Sequence, residues 1–171
     1  NDNRPLKRVI ELAVEAIYPD NLLPSVLPSE AHSYSILEYN FIWVELLEFY
    51  LFQTHDKDFI YSKINIIKGL IDNFSKHINE DGLLVSKPGK RLFLDWSLVS
   101  RNEPNAIYNF HFLYFLQKSQ KIFNNLNYEY DLSELINKLK LNLTEKFFII
   151  ISGMTIMKEL HFHNSQLRSR Y

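Results

Sequence analysis

Residues 35–54, Ser-Ile-Leu-Glu-Tyr-Asn-Phe-Ile-Trp-Val-Glu-Leu-Leu-Glu-Phe-Tyr-Leu-Phe-Gln-Thr, constrain the fold more than any other stretch. At helical spacing, Ile36, Tyr39, Asn40, Trp43, Leu46, Leu47, Tyr50 and Leu51 form one face, and Phe41, Val44 and Phe49 widen the apolar arc. A helix apolar over so much of its circumference is packed on more than one side, which requires other helices around it. Ser35 with Glu38 three residues on has the spacing of a capping box, so the helix is expected to start there.

The rest of the chain supplies those helices. Residues 6–18 place Val9, Leu12, Ala13, Ala16 and Ile17 on one face. Pro19, Pro24 and Pro28 then forbid a helix across 19–34, and the Leu and Val content of that connection predicts that it lies packed. After the tight turn His55-Asp56-Lys57-Asp58, with Asp56 or Asp58 as cap, a helix to about residue 77 carries Phe59, Ile60, Ile64, Ile67, Leu70, Ile71 and Phe74. So short a turn makes it the antiparallel neighbour of the helix before it. A second long connection, 78–103, turns at Asp81-Gly82 and Pro88-Gly89, and its segments 83–86 and 91–94 can pair as a small β-hairpin. Pro104 is expected in the first turn of a helix over 105–124, and Asp131 or Ser133 caps a last helix to about 148 with Leu132, Leu135, Ile136, Leu139 and Leu143 on its face.

Short and long connections therefore alternate between about five helices. Concentric helix hairpins have this pattern, with short turns at one rim and long loops at the other. The expected fold is all-α, and two and a half hairpins make an arc of a larger ring rather than a closed one. Residues 1–148 form the partial domain and 149–171 its irregular tail. An open arc exposes an apolar face, through which self-association is expected.

Composition narrows the function. With 19 Lys and Arg against 20 Asp and Glu, the net charge of −1 gives no general electrostatic case for nucleic acid or an anionic membrane. The absence of cysteine removes disulfide and thiolate chemistry, and no apolar run reaches transmembrane length. The 6 His are scattered without ligand spacing, so neither a metal nor another cofactor is expected. No glycine-rich phosphate loop is present. The compartment is not legible.

One short segment stands apart. Lys90-Arg91-Leu92-Phe93-Leu94-Asp95-Trp96 is apolar and β-leaning within a helical chain. A Trp face packs on the C–H face of a pyranose and a carboxylate accepts from hydroxyls, so Asp95 beside Trp96 suits a sugar-binding wall. Equally, Trp96 can plug a core while Asp95 caps the next turn.

The ordered set Leu-Pro-Ser-Val-Leu-Pro (23–28), Glu-Tyr-Asn-Phe-Ile-Trp-Val-Glu-Leu-Leu-Glu-Phe-Tyr-Leu-Phe-Gln-Thr-His-Asp (38–56), Asp-Gly-Leu-Leu (81–84), Phe-Leu-Asp-Trp (93–96) and Asn-Ala-Ile-Tyr-Asn (105–109) resembles the catalytic domain of bacterial α-L-rhamnosidases, over about residues 6–148. The resemblance implies an (α/α)6 toroid of six helix hairpins, inverting glycoside hydrolysis, and a rhamnose-containing glycan or glycoside as partner. It also implies that Trp43 and Trp96 line the sugar pocket, with Asp95, Tyr39 and Asn105 beside them. The chain departs from the family in having neither the upstream Asp-x-x-x-Arg-x-Glu acid motif nor the downstream Glu that serves as base. Inversion needs one carboxylic acid and one carboxylate on opposite sides of the sugar. No residue is therefore assigned to catalysis, and the chain is expected to supply part of a pocket wall. The alternatives are another six-hairpin glycosidase and a non-catalytic helical module that holds a partner helix, against which the lack of a fixed-period repeat counts.

Overall fold

The structure is a computed structural model that describes residues 2–27, 35–94 and 101–147. These form an all-α fold of α1 (Arg4–Glu15), α2 (Leu37–Thr54), α3 (Lys57–Tyr61), α4 (Ile64–Ser75) and α5 (Ala106–Asn125), followed by a helix over 133–147, here α6. The expected tail and Asp95-Trp96 lie outside the described residues.

Local chemistry moves several helix ends from their expected places. α1 starts before residue 6 because Pro5 suits a first turn and the Asp2 carboxylate takes the Arg4 N–H at 3.0 Å. It stops short of Tyr18, which precedes Pro19 and whose N–H bonds instead to the Leu22 carbonyl at 2.9 Å. The capping box at Ser35 does not form. Ser35 donates its hydroxyl to the Leu23 carbonyl at 2.8 Å, Glu38 turns inward, and Ile36 becomes the N-cap without a side-chain bond. The single helix expected after the 55–58 turn is two: the Ser62 hydroxyl takes the Phe59 carbonyl at 2.6 Å, and the chain re-enters helix at Ile64. Pro104 sits outside α5, which Asn105 caps by accepting from the Tyr108 N–H at 3.1 Å.

The expected hairpin over 83–94 is replaced by two isolated bridges, Ile78 with Leu84 and Ile36 with Arg91. The Pro88-Gly89 turn does form, with Lys90 N–H on the Lys87 carbonyl at 3.1 Å, but its flanks pair elsewhere. The Asn109 amide accepts from Leu84 N–H at 2.7 Å and donates to Leu84 C=O at 2.8 Å, taking the place of a neighbouring strand. Arg91 C=O is taken by Leu37 N–H at 3.1 Å.

Packing runs around α2. Its contacts with α5 ascend together: Phe41 meets Phe112 and Phe115, and Glu48 pairs with Lys118 and Lys121 further along, so α2 and α5 run parallel. Phe41 against Phe74 of α4 and Tyr50 against Phe59 of α3 descend, so the α3–α4 segment returns antiparallel to α2. Lys68 of α4 meets Tyr128 ahead of α6, and Gly82 beyond α4 meets Asn142 of α6, so the chain ascends through α4 and through α6 in the same direction. α1 is antiparallel to α2, joined by Trp43 on Ile10 and Lys7 on Asp56. The molecule is thus a stack of helix hairpins in one sense, with a continuous core from Ile10 to Leu143.

The stack repeats itself. Before α2, Asp20-Asn21-Leu22-Leu23 makes a turn with Asn21 at φ 59°, and Leu23 N–H binds the Asn40 side chain at 2.8 Å. Before α5, Asp81-Gly82-Leu83-Leu84 makes the same turn with Gly82 at φ 72°, and Leu84 binds Asn109. Both asparagines sit in Tyr-Asn-Phe, at 39–41 and 108–110.

Candidate functional site

Because α2 and α5 are parallel, their N-termini share one rim, and both long connections end there. The two connections are clamped together: Asp20 faces Lys87 at 3.3 Å and Lys90 at 2.8 Å. Burial raises the Asp20 carboxyl, but these two ammonium groups outweigh it and hold it below the usual carboxylate range.

Under this rim lies an acid that its capping-box reading concealed. Glu38 is 5% exposed and accepts from the Phe93 N–H at 3.2 Å, while its other oxygen, Oε1, has no hydrogen-bond partner among the described residues. Burial raises its pKa, only partly offset by the backbone N–H groups of Glu38 and Phe93 and by nearby His111. Tyr108 is also fully buried, and its hydroxyl likewise has no partner among the described residues. Burial pushes that hydroxyl well above its ordinary value, and the Glu38 and Glu103 carboxylates push it further. Among the described residues, then, Glu38 Oε1 and the Tyr108 hydroxyl are two buried polar atoms without a hydrogen-bond partner, and the Glu38 carboxylate acts on that hydroxyl. His111 continues the edge by facing Glu45 at 3.1 Å. The sequence signal was available, because Glu38, Glu45 and Glu48 form an acidic edge on the apolar helix α2.

The expected sugar-wall residues are dispersed in role. Tyr39 is 38% exposed on the rim and lines a groove of about 260 Å³ between α1, the connection 23–27 and α2. Trp43 lines the same groove but is 3% exposed, with its indole N–H donated to the Ile10 carbonyl at 3.3 Å. Asn105 is buried as the α5 cap. Asp95 and Trp96 lie outside the described residues, so the expected pairing of two indoles rests on sequence. Of the other loop carboxylates, Asp81 pairs with Lys146 at 2.8 Å and Glu103 accepts from Ser86 N–H at 3.2 Å.

Among the described residues, no three His, Asp or Glu gather as a metal site would require, and no helix is long and apolar enough to cross a membrane. No family model matches the chain, and neither a curated protein nor a solved structure matches it.

Proposed function

We propose that the chain is part of an inverting glycoside hydrolase resembling the α-L-rhamnosidases, an arc of an (α/α)6 toroid that contributes pocket wall and neither catalytic carboxylate. One observation carries the reading. Two parallel helices begin at a single rim, and both long connections return to that rim and are locked to it by Asn40 and Asn109. Hydroxyl-rich ligands need acceptors and donors held in place there. Tyr39 offers an exposed aromatic with a hydroxyl, and Glu38 Oε1 and the Tyr108 hydroxyl are buried polar atoms without a partner among the described residues. In this reading Asp95 and Trp96 complete the wall, Trp43 packs beneath it, and Asn105 fixes the start of α5.

The test is a titration with L-rhamnose followed by amide NMR, with an aryl α-L-rhamnoside offered as substrate. Saturable shifts at Glu38, Tyr39 and Tyr108, weakened by Tyr39→Ala, with no turnover, are the expected result. Turnover by the chain alone refutes the claim that it lacks the catalytic pair. Shifts with D-glucose or trehalose in place of L-rhamnose assign it to another six-hairpin glycosidase, and no shifts with any sugar refute the carbohydrate reading.

A further inference from the structure

The turn Lys87-Pro88-Gly89-Lys90 brings two lysines to one acceptor. Pro88 and Gly89, the latter at φ 75°, give the turn its shape, and Lys90 N–H closes it on the Lys87 carbonyl at 3.1 Å. The two side chains leave from its ends and converge on the same atom, Asp20 Oδ2, at 3.3 Å and 2.8 Å. The other Asp20 oxygen is taken by Leu22 N–H at 3.3 Å. Asp20 is itself fixed, because the Asn73 side chain of α4 donates to its carbonyl at 2.7 Å. Neither ammonium is a loose surface charge, since the Lys87 and Lys90 side chains are only 23% and 14% exposed.

The charges here do not balance. One carboxylate faces two ammonium groups, and each ammonium has three N–H donors but only that one charged acceptor among the described residues. The surplus is felt nearby. Val85 N–H binds the His77 carbonyl at 3.0 Å, which lays His77 beside the same connection. Burial, and then the charges of Lys87 and Lys76, hold the His77 imidazole below its ordinary value. A half-buried place with one positive charge in excess, and unused donors on two converging ammonium groups, suits a monoanion. A dianion would overcompensate it.

We propose that Lys87 and Lys90 bind the carboxylate or sulfate group of an acidic sugar at the rim. The sugar rests on the carbohydrate reading of this rim, whereas the charge preference rests on the lysines alone. The pair is pre-organised, because the turn and Asp20 already hold both ammonium groups in place, so little ordering is left for the ligand to cost. Asp20 has two opposed effects: it positions the lysines, and it cancels half of their charge.

The test is titration of D-glucuronate, D-glucose 6-sulfate and D-glucose into the full chain, followed by amide NMR. Saturable shifts at Leu22, Lys87, Gly89 and Lys90 with the two acids, and none there with D-glucose, are expected; the tighter acid names the group. Lys87→Gln or Lys90→Gln leaves Asp20 with one partner, removes the surplus charge and weakens binding about tenfold. Asp20→Asn keeps an acceptor for Leu22 N–H and unmasks both ammonium groups, so it tightens binding, the reverse of what a purely structural role would give. Thermal melts confirm that each variant is folded. Absent shifts, equal binding of D-glucose, acetate binding as tightly as D-glucuronate, or wild-type affinity in both lysine variants overturns the proposal. Binding of D-glucuronate here with no response to L-rhamnose at Tyr39 removes the rhamnosidase reading and leaves this site standing, and the reverse pair of results removes this site alone.

Discussion

Asn109→Ala removes one amide from the interior and breaks three hydrogen bonds, to Leu84 N–H at 2.7 Å, to Leu84 C=O at 2.8 Å and to Asn105 C=O at 2.9 Å. The third acceptor keeps the Asn109 backbone N–H at 3.1 Å, so its loss is small. The two groups of Leu84 have no such reserve among the described residues. Leu84 is fully buried, and the flanking ladder bonds, Asn79 to Leu83 and Val85 to His77, leave its own N–H and C=O pointing at Asn109. An orphaned buried backbone group costs about 1–3 kcal/mol, which puts the variant at roughly 3 kcal/mol or somewhat more. Asn40→Ala orphans only Leu23 N–H among the connection's groups and should cost about half as much. Asn109→Asp keeps the acceptor but turns a carboxylate toward two carbonyls, so it is at least as damaging at neutral pH and recovers in part when protonated in acid. Urea unfolding followed by far-UV circular dichroism measures all three. The midpoint should fall in the order Asn40→Ala, then Asn109→Ala, at constant slope, and the melting temperature of Asn109→Ala should drop by about 6–12 °C. If Asn109→Ala costs less than about 1 kcal/mol, or no more than Asn40→Ala, the amide does not hold the second connection and this account of the missing hairpin is wrong.

Phe41→Ala empties a socket walled by five rings, those of Phe74, Tyr108, His111, Phe112 and Phe115, and should cost about 3–5 kcal/mol in the same urea assay, and a cost under about 1.5 kcal/mol would show that socket to be loosely packed. Glu38→Gln should raise stability at pH 7, because burial holds this acid above its ordinary pKa of 4.5 in the folded state and ionising it there is unfavourable. The sign follows from linkage: the wild type loses stability as pH climbs through and above the ordinary Glu value, the Gln variant does not, and coincident pH–stability profiles would refute the assignment. Gly82→Ala should lower stability by about 1–2 kcal/mol, since φ 72° is left-handed and the added carbon meets Asn142, whereas Asn21→Gly at the matching turn position should change it by only a few tenths of a kcal/mol.

The helices were legible because each carries its own period, and apolar residues at three- and four-residue spacing need no tertiary information. Their ends were not, because side chains there choose among competing partners. Ser35 has the spacing of a cap, yet the Leu23 carbonyl, distant in sequence, is the better acceptor once the connection folds back. The same competition hid the acid: Glu38 reads as the far half of a capping box until Phe93 N–H arrives from the second connection. Residues 83–94 read as a hairpin because turn chemistry and apolar flanks are local, and a side-chain amide on another helix outcompeted strand pairing. Trp43 shows the limit on the functional side, since sequence puts an indole near a groove but cannot say whether Ile10 already holds its N–H. The repeat was present in plain letters, as Asp-x-Leu-Leu before Tyr-Asn-Phe, twice. A fixed-period search misses it because the second connection is longer than the first. What is conserved between the halves is a bonding scheme, with turn leucine to helix asparagine, and a connection can lengthen without disturbing that scheme provided both its ends stay pinned. That tolerance follows from the weak dependence of loop closure on length. It is also why the two long connections can differ in sequence and still be delivered to one rim.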